Sequence, residues 1–198
     1  ADILTSDGSS VYMRHRKLFE GQDGGAAPVV ATGGMLDSSW FSRIKWSRKE
    51  TDAGELAVFD GAQTYGIQAY PGSGKGGARG DFFWPGEEGY KLFRTRTNGG
   101  DRGGGWSRHI PVRGKAMILV GDTLVVAGAP DVAPSNNPLA AFQGRRGGRL
   151  WTISASDGKP QQKLRLDAPP AWQGLAAGRG RLYLVDRDGL VHCFTAEK

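Results

Sequence analysis

Residues 174–189, GLAAGRGRLYLVDRDG, decide the fold. A short apolar run, Leu175 to Ala177, stops at Gly178, Arg179 and Gly180, and a second run, Leu182 to Val185, stops at an Asp-Arg-Asp-Gly turn. Two short runs of strand-forming residues separated by glycine-rich turn chemistry specify an antiparallel hairpin. The same design recurs in ILTSDGSSVYMRH (3–15), LAVFDGAQTYGIQAY (56–70) and MILVGDTLVVAG (117–128). Aligned on their second strands, Tyr12, Tyr65, Val125 and Tyr183 are 53, 60 and 58 residues apart. That interval suits a four-stranded unit better than a helical repeat.

Working outward, further strand candidates lie between the hairpins: WFSRIKW (40–46), YKLFRTR (90–96), RLWTISA (149–155) and QKLRLD (162–167). No segment keeps apolar residues at i, i+3, i+4 and i+7 for three turns without a glycine or proline, so helix is not expected. The predicted class is all-β: four-stranded antiparallel blades of a β-propeller, about four of them. The units fall roughly at 1–53, 54–114, 115–170 and 171–198 of a single propeller segment. Trp151 and Tyr183, flanked by apolar residues on alternating positions, are expected in the core. Inserts rich in Gly, Pro, Asn and Ser at 20–34, 71–89, 97–105 and 128–148 read as surface loops. The 71–89 insert carries Phe82, Phe83 and Trp84 in succession.

Composition narrows the class. The chain has 198 residues, 38% hydrophobic and 23% charged, and no apolar run approaches the length of a spanning helix, so no membrane span is expected. Thirty-two glycines without a Gly-X-Y period imply many tight turns and exclude collagen. A single cysteine, Cys193, supplies neither an internal disulfide nor a cysteine-based zinc site. The N-terminal ADILTSDG has neither the basic start nor the apolar stretch of a signal peptide. The formal charge is +6, and by thirds of the chain it drifts from -2 to +3 to +5. The densest cluster, Arg94, Arg96, Arg102 and Arg108, is spread through glycines, which reads as a solvated basic surface and not as a nucleic-acid footprint.

The segment RLWTISASDGKPQQKLRLDAPPAWQGLAAGRGRLYLVDRDGLVHCF (149–194) resembles the repeat of the pyrroloquinoline-quinone-like (PQQ-like) β-propellers. In that repeat a strand ending in a small-residue turn, here SDGK, is followed by an outer strand and a Gly-x-Leu-Tyr-Leu hairpin. LDSSWFSRIKW (36–46) and YMRHRKLF (12–19) are similar to the C-terminal part of large bacterial members. The resemblance implies a ring of about seven or eight blades, a setting in the periplasm or cell envelope, and partners that are either the remaining blades or a second copy of the chain. In the quinone-dependent dehydrogenases of that superfamily the cofactor lies between a tryptophan and two adjacent cysteines, beside calcium. Here there are no adjacent cysteines, and Gln161, Gln162 and Lys163 stand where a blade-docking tryptophan would follow Gly-Lys. Neither quinone nor calcium is therefore expected.

The candidate ligand-binding residues are Arg14, His15, Asp37, Trp40, Arg43, Trp46 and Trp84, with Arg16 beside them. On a strand Trp40 and Trp46 share a face and Arg43 takes the other. Tryptophan and arginine favour recognition surfaces, and an indole face stacks on sugars or cations. The alternative is that the two tryptophans pack between blades while Arg43 pairs with Asp37. His15, His109 and His192 have no metal-ligand spacing, and Gly-x-Ser-x-Gly is missing. PGSGKGG (71–77) ends its Gly-Lys on Gly76 where a phosphate loop needs Ser or Thr, and VDRDG (185–189) lacks the twelve-residue calcium loop. Arg79-Gly80-Asp81 spells an integrin-type tripeptide of a kind that chance also produces.

No paired acid and base emerges. The expected function is a non-catalytic binding or interaction scaffold for a protein or glycan partner. The alternatives are a fragment of a quinone-dependent oxidoreductase whose catalytic groups lie on other blades, and a carbohydrate-binding propeller that uses Trp40, Trp46 and the Phe82-Phe83-Trp84 loop.

Overall fold

The structure is a computed structural model that describes residues 4–6, 9–13, 16–19, 29–32, 45–48, 53–61, 63–69, 89–96 and 105–195. Every regular element among the described residues is a strand. In chain order these are β1 (Leu4–Ser6), β2 (Val11–Met13), β3 (Arg16–Leu18), β4 (Val30–Thr32), β5 (Lys45–Ser47), β6 (Leu56–Asp60), β7 (Gln63–Ala69) and β8 (Tyr90–Arg96). They continue with β9 (Trp106–His109), β10 (Val112–Val120), β11 (Thr123–Pro130), β12 (Gly148–Ser154), β13 (Pro160–Leu166), β14 (Pro170–Gly178), β15 (Arg181–Asp186) and β16 (Val191–Thr195). The sheets run β1-β2-β3, β4-β5, β6-β7-β8-β9, β10-β11-β12-β13 and β14-β15-β16.

The fold is all-β, and its larger sheets are three- or four-stranded antiparallel meanders in sequence order. Each expected hairpin is present, with Thr5 opposite Tyr12, Ile118 opposite Val125 and Ala176 opposite Tyr183, and with β6 beside β7. The turns use the chemistry the sequence advertises. Gly121 has φ +55 between β10 and β11, and Arg179 and Gly180 have φ +51 and +71 between β14 and β15, as tight hairpin turns require.

Two loop assignments differ from expectation. Residues 20–34 contain β4, and Gly128 to Pro130 of the 128–148 insert continue β11, opposite Gly114, Arg113 and Val112. Cross-strand pairing there overrides the local turn preference of Gly and Pro. Strand β9 was also not foreseen, because it directly follows a glycine run.

The contacts divide the chain into two compact units, residues 1–66 with 95–105 and residues 67–94 with 106–198. In the first, Tyr12 and Val30 form a small buried cluster, and the Thr5 hydroxyl donates to the Val29 carbonyl at 3.0 Å. In the second, β11 is covered on both faces: Leu124 and Val126 point one way and Val125 and Ala127 the other, and all are buried. Val125 and Ala127 join Ala116 and Leu150 against Leu175 and Leu184, so the β10–β13 sheet packs face to face on the β14–β16 sheet. The outer strand β13 is exposed over most of its length.

Trp151 is buried on β12, with the Lys163 ammonium of β13 lying 4.4 Å from its ring centroid. Tyr183 is only half-buried, because its face of the β14–β16 sheet is the one turned away from the Leu175–Leu184 core.

A second contact inside this unit ties β8 and β9 to the β12–β13 turn. The Trp106 indole N–H donates to the Ala155 carbonyl at 3.0 Å, Arg94 donates to the Ser156 carbonyl at 2.8 Å, and Arg108 reaches the Asp157 carbonyl at 3.2 Å. The indole lies flat against Gly158, where an added Cβ would sit 2.6–2.8 Å from three ring carbons, and Gly158 itself has φ +71. Only glycine satisfies both conditions.

Candidate functional site

Chemistry-bearing side chains of the second unit gather where two neighbouring strands, β10 and β14, both lose their regular pairing. On β10 the register passes from Gly114 opposite Gly128 to Ala116 opposite Ala127, so Lys115 is the extra residue of a bulge. Gly128 permits it, since a Cβ there would collide with the Arg113 carbonyl. On β14 the register jumps from Pro170 opposite Asp186 to Leu175 opposite Leu184, which leaves Ala171 to Gly174 as a longer excursion with Gln173 at φ +54. Bulges re-aim side chains out of the strict in-and-out alternation. Here they bring the Lys115 ammonium to 5.4 Å from the centroid of the Trp172 ring, which stays 47% exposed.

Around this pair the charge is unbalanced. Arg113 Nε lies 3.0 Å from an Asp131 carboxylate oxygen, and both residues are buried. Arg187, in the turn after β15, donates through its backbone N–H to the Pro169 carbonyl at 3.0 Å and through its guanidinium to the Gln143 carbonyl at 3.1 Å. Burial, then the positive charges of Arg113 and Arg187, hold the Lys115 ammonium below the usual lysine range. The charges of Arg113 and Arg187 both act on the Lys115 ammonium, and among the described residues Asp131 pairs with Arg113 alone. Residues 105–195 hold 12 of the chain's Lys and Arg against 6 Asp and no Glu, so the excess positive charge of the sequence resides there.

Asp186, adjacent to Arg187 in sequence as Asp188 also is, is already engaged. One oxygen accepts from the Asp188 and Leu190 backbone N–H groups at 2.9 and 3.0 Å, and the other accepts from His192 Nε2 at 2.7 Å. The His192 hydrogen bond is the main reason that the Asp186 carboxyl lies below the ordinary carboxylate range. This pair builds the 186–190 turn that presents Arg187. Among the described residues no group of three His, Cys, Asp or Glu could hold a metal ion.

Of the residues singled out from the sequence, Arg14, His15, Asp37, Trp40, Arg43 and Trp84 lie outside the described residues, as do Phe82 and Phe83. Trp46 is half-buried on β5, opposite Ala31, and exchanges backbone hydrogen bonds with Gly54 at 2.7 and 2.9 Å. Arg16 is exposed on β3, and His109 is exposed at the end of β9 opposite Lys91. The cluster of Arg113, Lys115, Trp172 and Arg187 was not foreseen, since bulges do not follow the alternation by which strands are read. The available signals were Arg-Gly-Lys at 113–115 and Pro-Pro-Ala-Trp at 169–172, where prolines interrupt a strand just before an indole.

No protein-family model matches the chain, and no curated protein matches it.

Proposed function

We propose that the chain is a non-catalytic PQQ-like propeller module that serves as an interaction scaffold, and that its β14–β16 sheet takes up the partner. The observation that carries this reading is the state of that sheet. One face is buried through Leu175 and Leu184 against the neighbouring sheet. On β15 and β16, Val185 and Val191 face each other as partners and are 37% and 65% exposed, with Leu190 beside them at 61%. Among the described residues strand β16 is the sheet's outer edge, and the sheet has three strands where β6–β9 and β10–β13 have four. An open edge offers unpaired N–H and C=O groups, the usual template for adding a strand. The likeness of residues 149–194 to the PQQ-like repeat supports the same reading, because propeller sheets stack on one another.

In the purified chain the added surface comes from a second copy, since a twofold axis lets one edge strand serve both sides of the contact. Backbone amide exchange tests this. The alternate β16 amides that do not bond β15 should be protected in the parent protein and exchange freely in Val191→Lys, which places a charge on the edge. Equal, rapid exchange in both proteins would remove the reading.

A further inference from the structure

We infer that the double bulge of β10 and β14 is a binding site for a small oxyanion with a flat or sugar-like face, held by Lys115 and Arg187 and stacked on Trp172. The site lies wholly inside the second unit and does not depend on how the β14–β16 edge is covered.

Three features carry the inference. The first is built shape: two adjacent strands each depart from regular pairing at the same place, and the result is a lysine and an indole set 5.4 Å apart. A single irregularity could be accidental, but a bulge whose backbone clearance depends on Gly128 and an excursion containing a left-handed Gln173 both store conformational cost.

The second feature is charge. Asp131 neutralises Arg113 at 3.0 Å, and Asp186 is committed to His192 and two backbone amides. Among the described residues no ion pair reaches Lys115 or Arg187, and the lysine is held down first by burial and then by the positive charges of Arg113 and Arg187. A bound anion reverses that balance, because each charge-assisted hydrogen bond to an oxyanion is shorter and stronger than a neutral one.

The third feature is the exposed indole. Trp172 keeps 47% of its surface in solvent beside the ammonium. A ligand that carries a carboxylate or phosphate next to an apolar ring face would meet both groups at once. An acidic sugar such as a uronate has that chemistry, whereas inorganic phosphate has only the charge and glucose only the face.

Calorimetric titration of the full chain with glucuronate, inorganic phosphate and glucose separates the contributions, with intrinsic fluorescence followed in parallel. Saturable binding is expected for glucuronate, weaker binding for phosphate and none for glucose up to about 10 mM, a concentration that reaches interactions of roughly 3 kcal/mol. Lys115→Met should weaken both anions by at least about tenfold, the loss of one charge-assisted contact. It should not lower the melting temperature, since it relieves like-charge crowding. Trp172→Phe should remove the ligand-dependent fluorescence change, and Trp172→Ala should erase the preference for glucuronate over phosphate. Binding by the parent that Lys115→Met leaves unchanged would overturn the assignment, as would no binding of either anion. A Lys115→Met protein that melts well below the parent would show that the lysine serves only to hold Trp172, and would overturn it equally.

Discussion

The seating of Trp106 on Gly158 makes a quantitative prediction. Substituting alanine at Gly158 has two separable costs. A residue with a Cβ at φ +71 is destabilised by about 1–2 kcal/mol, whatever surrounds it. The new methyl would also stand 2.6–2.8 Å from the indole carbons, so the ring must lift away. That movement lengthens or breaks the 3.0 Å bond from Trp106 to the Ala155 carbonyl, a net loss of about 0.5–1.5 kcal/mol, and it loosens the packing of the ring as well.

Together these give about 2–4 kcal/mol for Gly158→Ala. Gly180 provides the internal control, for it has the same φ of +71 and an added Cβ there would meet nothing within 4 Å. Gly180→Ala should therefore cost only the backbone share. Urea unfolding of the parent and both variants reads the difference as shifts in midpoint at constant slope. In a Trp106→Phe background the excess cost at Gly158 should shrink, because ring and glycine are coupled through direct contact. If the two glycine variants unfold at the same midpoint, the indole does not rest on Gly158 and the tie between β9 and the β12–β13 turn is wrong.

Other outcomes follow from the charged groups. Asp131→Asn leaves the buried Arg113 cation without its counter-charge and should cost about 3–5 kcal/mol in the same unfolding assay, and a cost below about 1 kcal/mol would mean that the pair is solvated. Asp186 has a lower pKa in the folded chain than its unfolded value of about 3.9, so its contribution is fully present above that range and is lost as pH falls through the folded value. Asp157, held down by Lys159 and the Ser154 hydroxyl, acts in the same direction. Stability measured from pH 6 to about pH 2 should fall less steeply in Asp186→Asn than in the parent, and parallel acid limbs would exclude Asp186 from the effect.

How far the sequence could be read depended on the range of each interaction. The hairpins at Tyr12, Tyr65, Val125 and Tyr183 were legible because turn chemistry and alternation act within a dozen residues. Trp151 was legible as core for the same reason. Tyr183 was not, since its burial depends on what covers one face of a sheet.

The Trp106–Gly158 contact was hidden, because its partners are 52 residues apart and no local pattern joins them. The Lys115–Trp172 pair was hidden twice over. Its residues are distant in sequence, and both sit on bulges, where period-2 reasoning assigns the wrong face. Of the candidate tryptophans Trp40, Trp46 and Trp84, only Trp46 falls among the described residues, and there it is half-buried beside a backbone bridge.

The native mass of the purified chain in solution tests the central claim most directly. A scaffold whose β16 edge and Val185–Val191 face accept a second copy should scatter light as a particle of about twice 21.2 kDa at low micromolar concentration, and Val191→Lys should return it to the single-chain mass. A compact parent particle of 21.2 kDa under the same conditions would contradict the account.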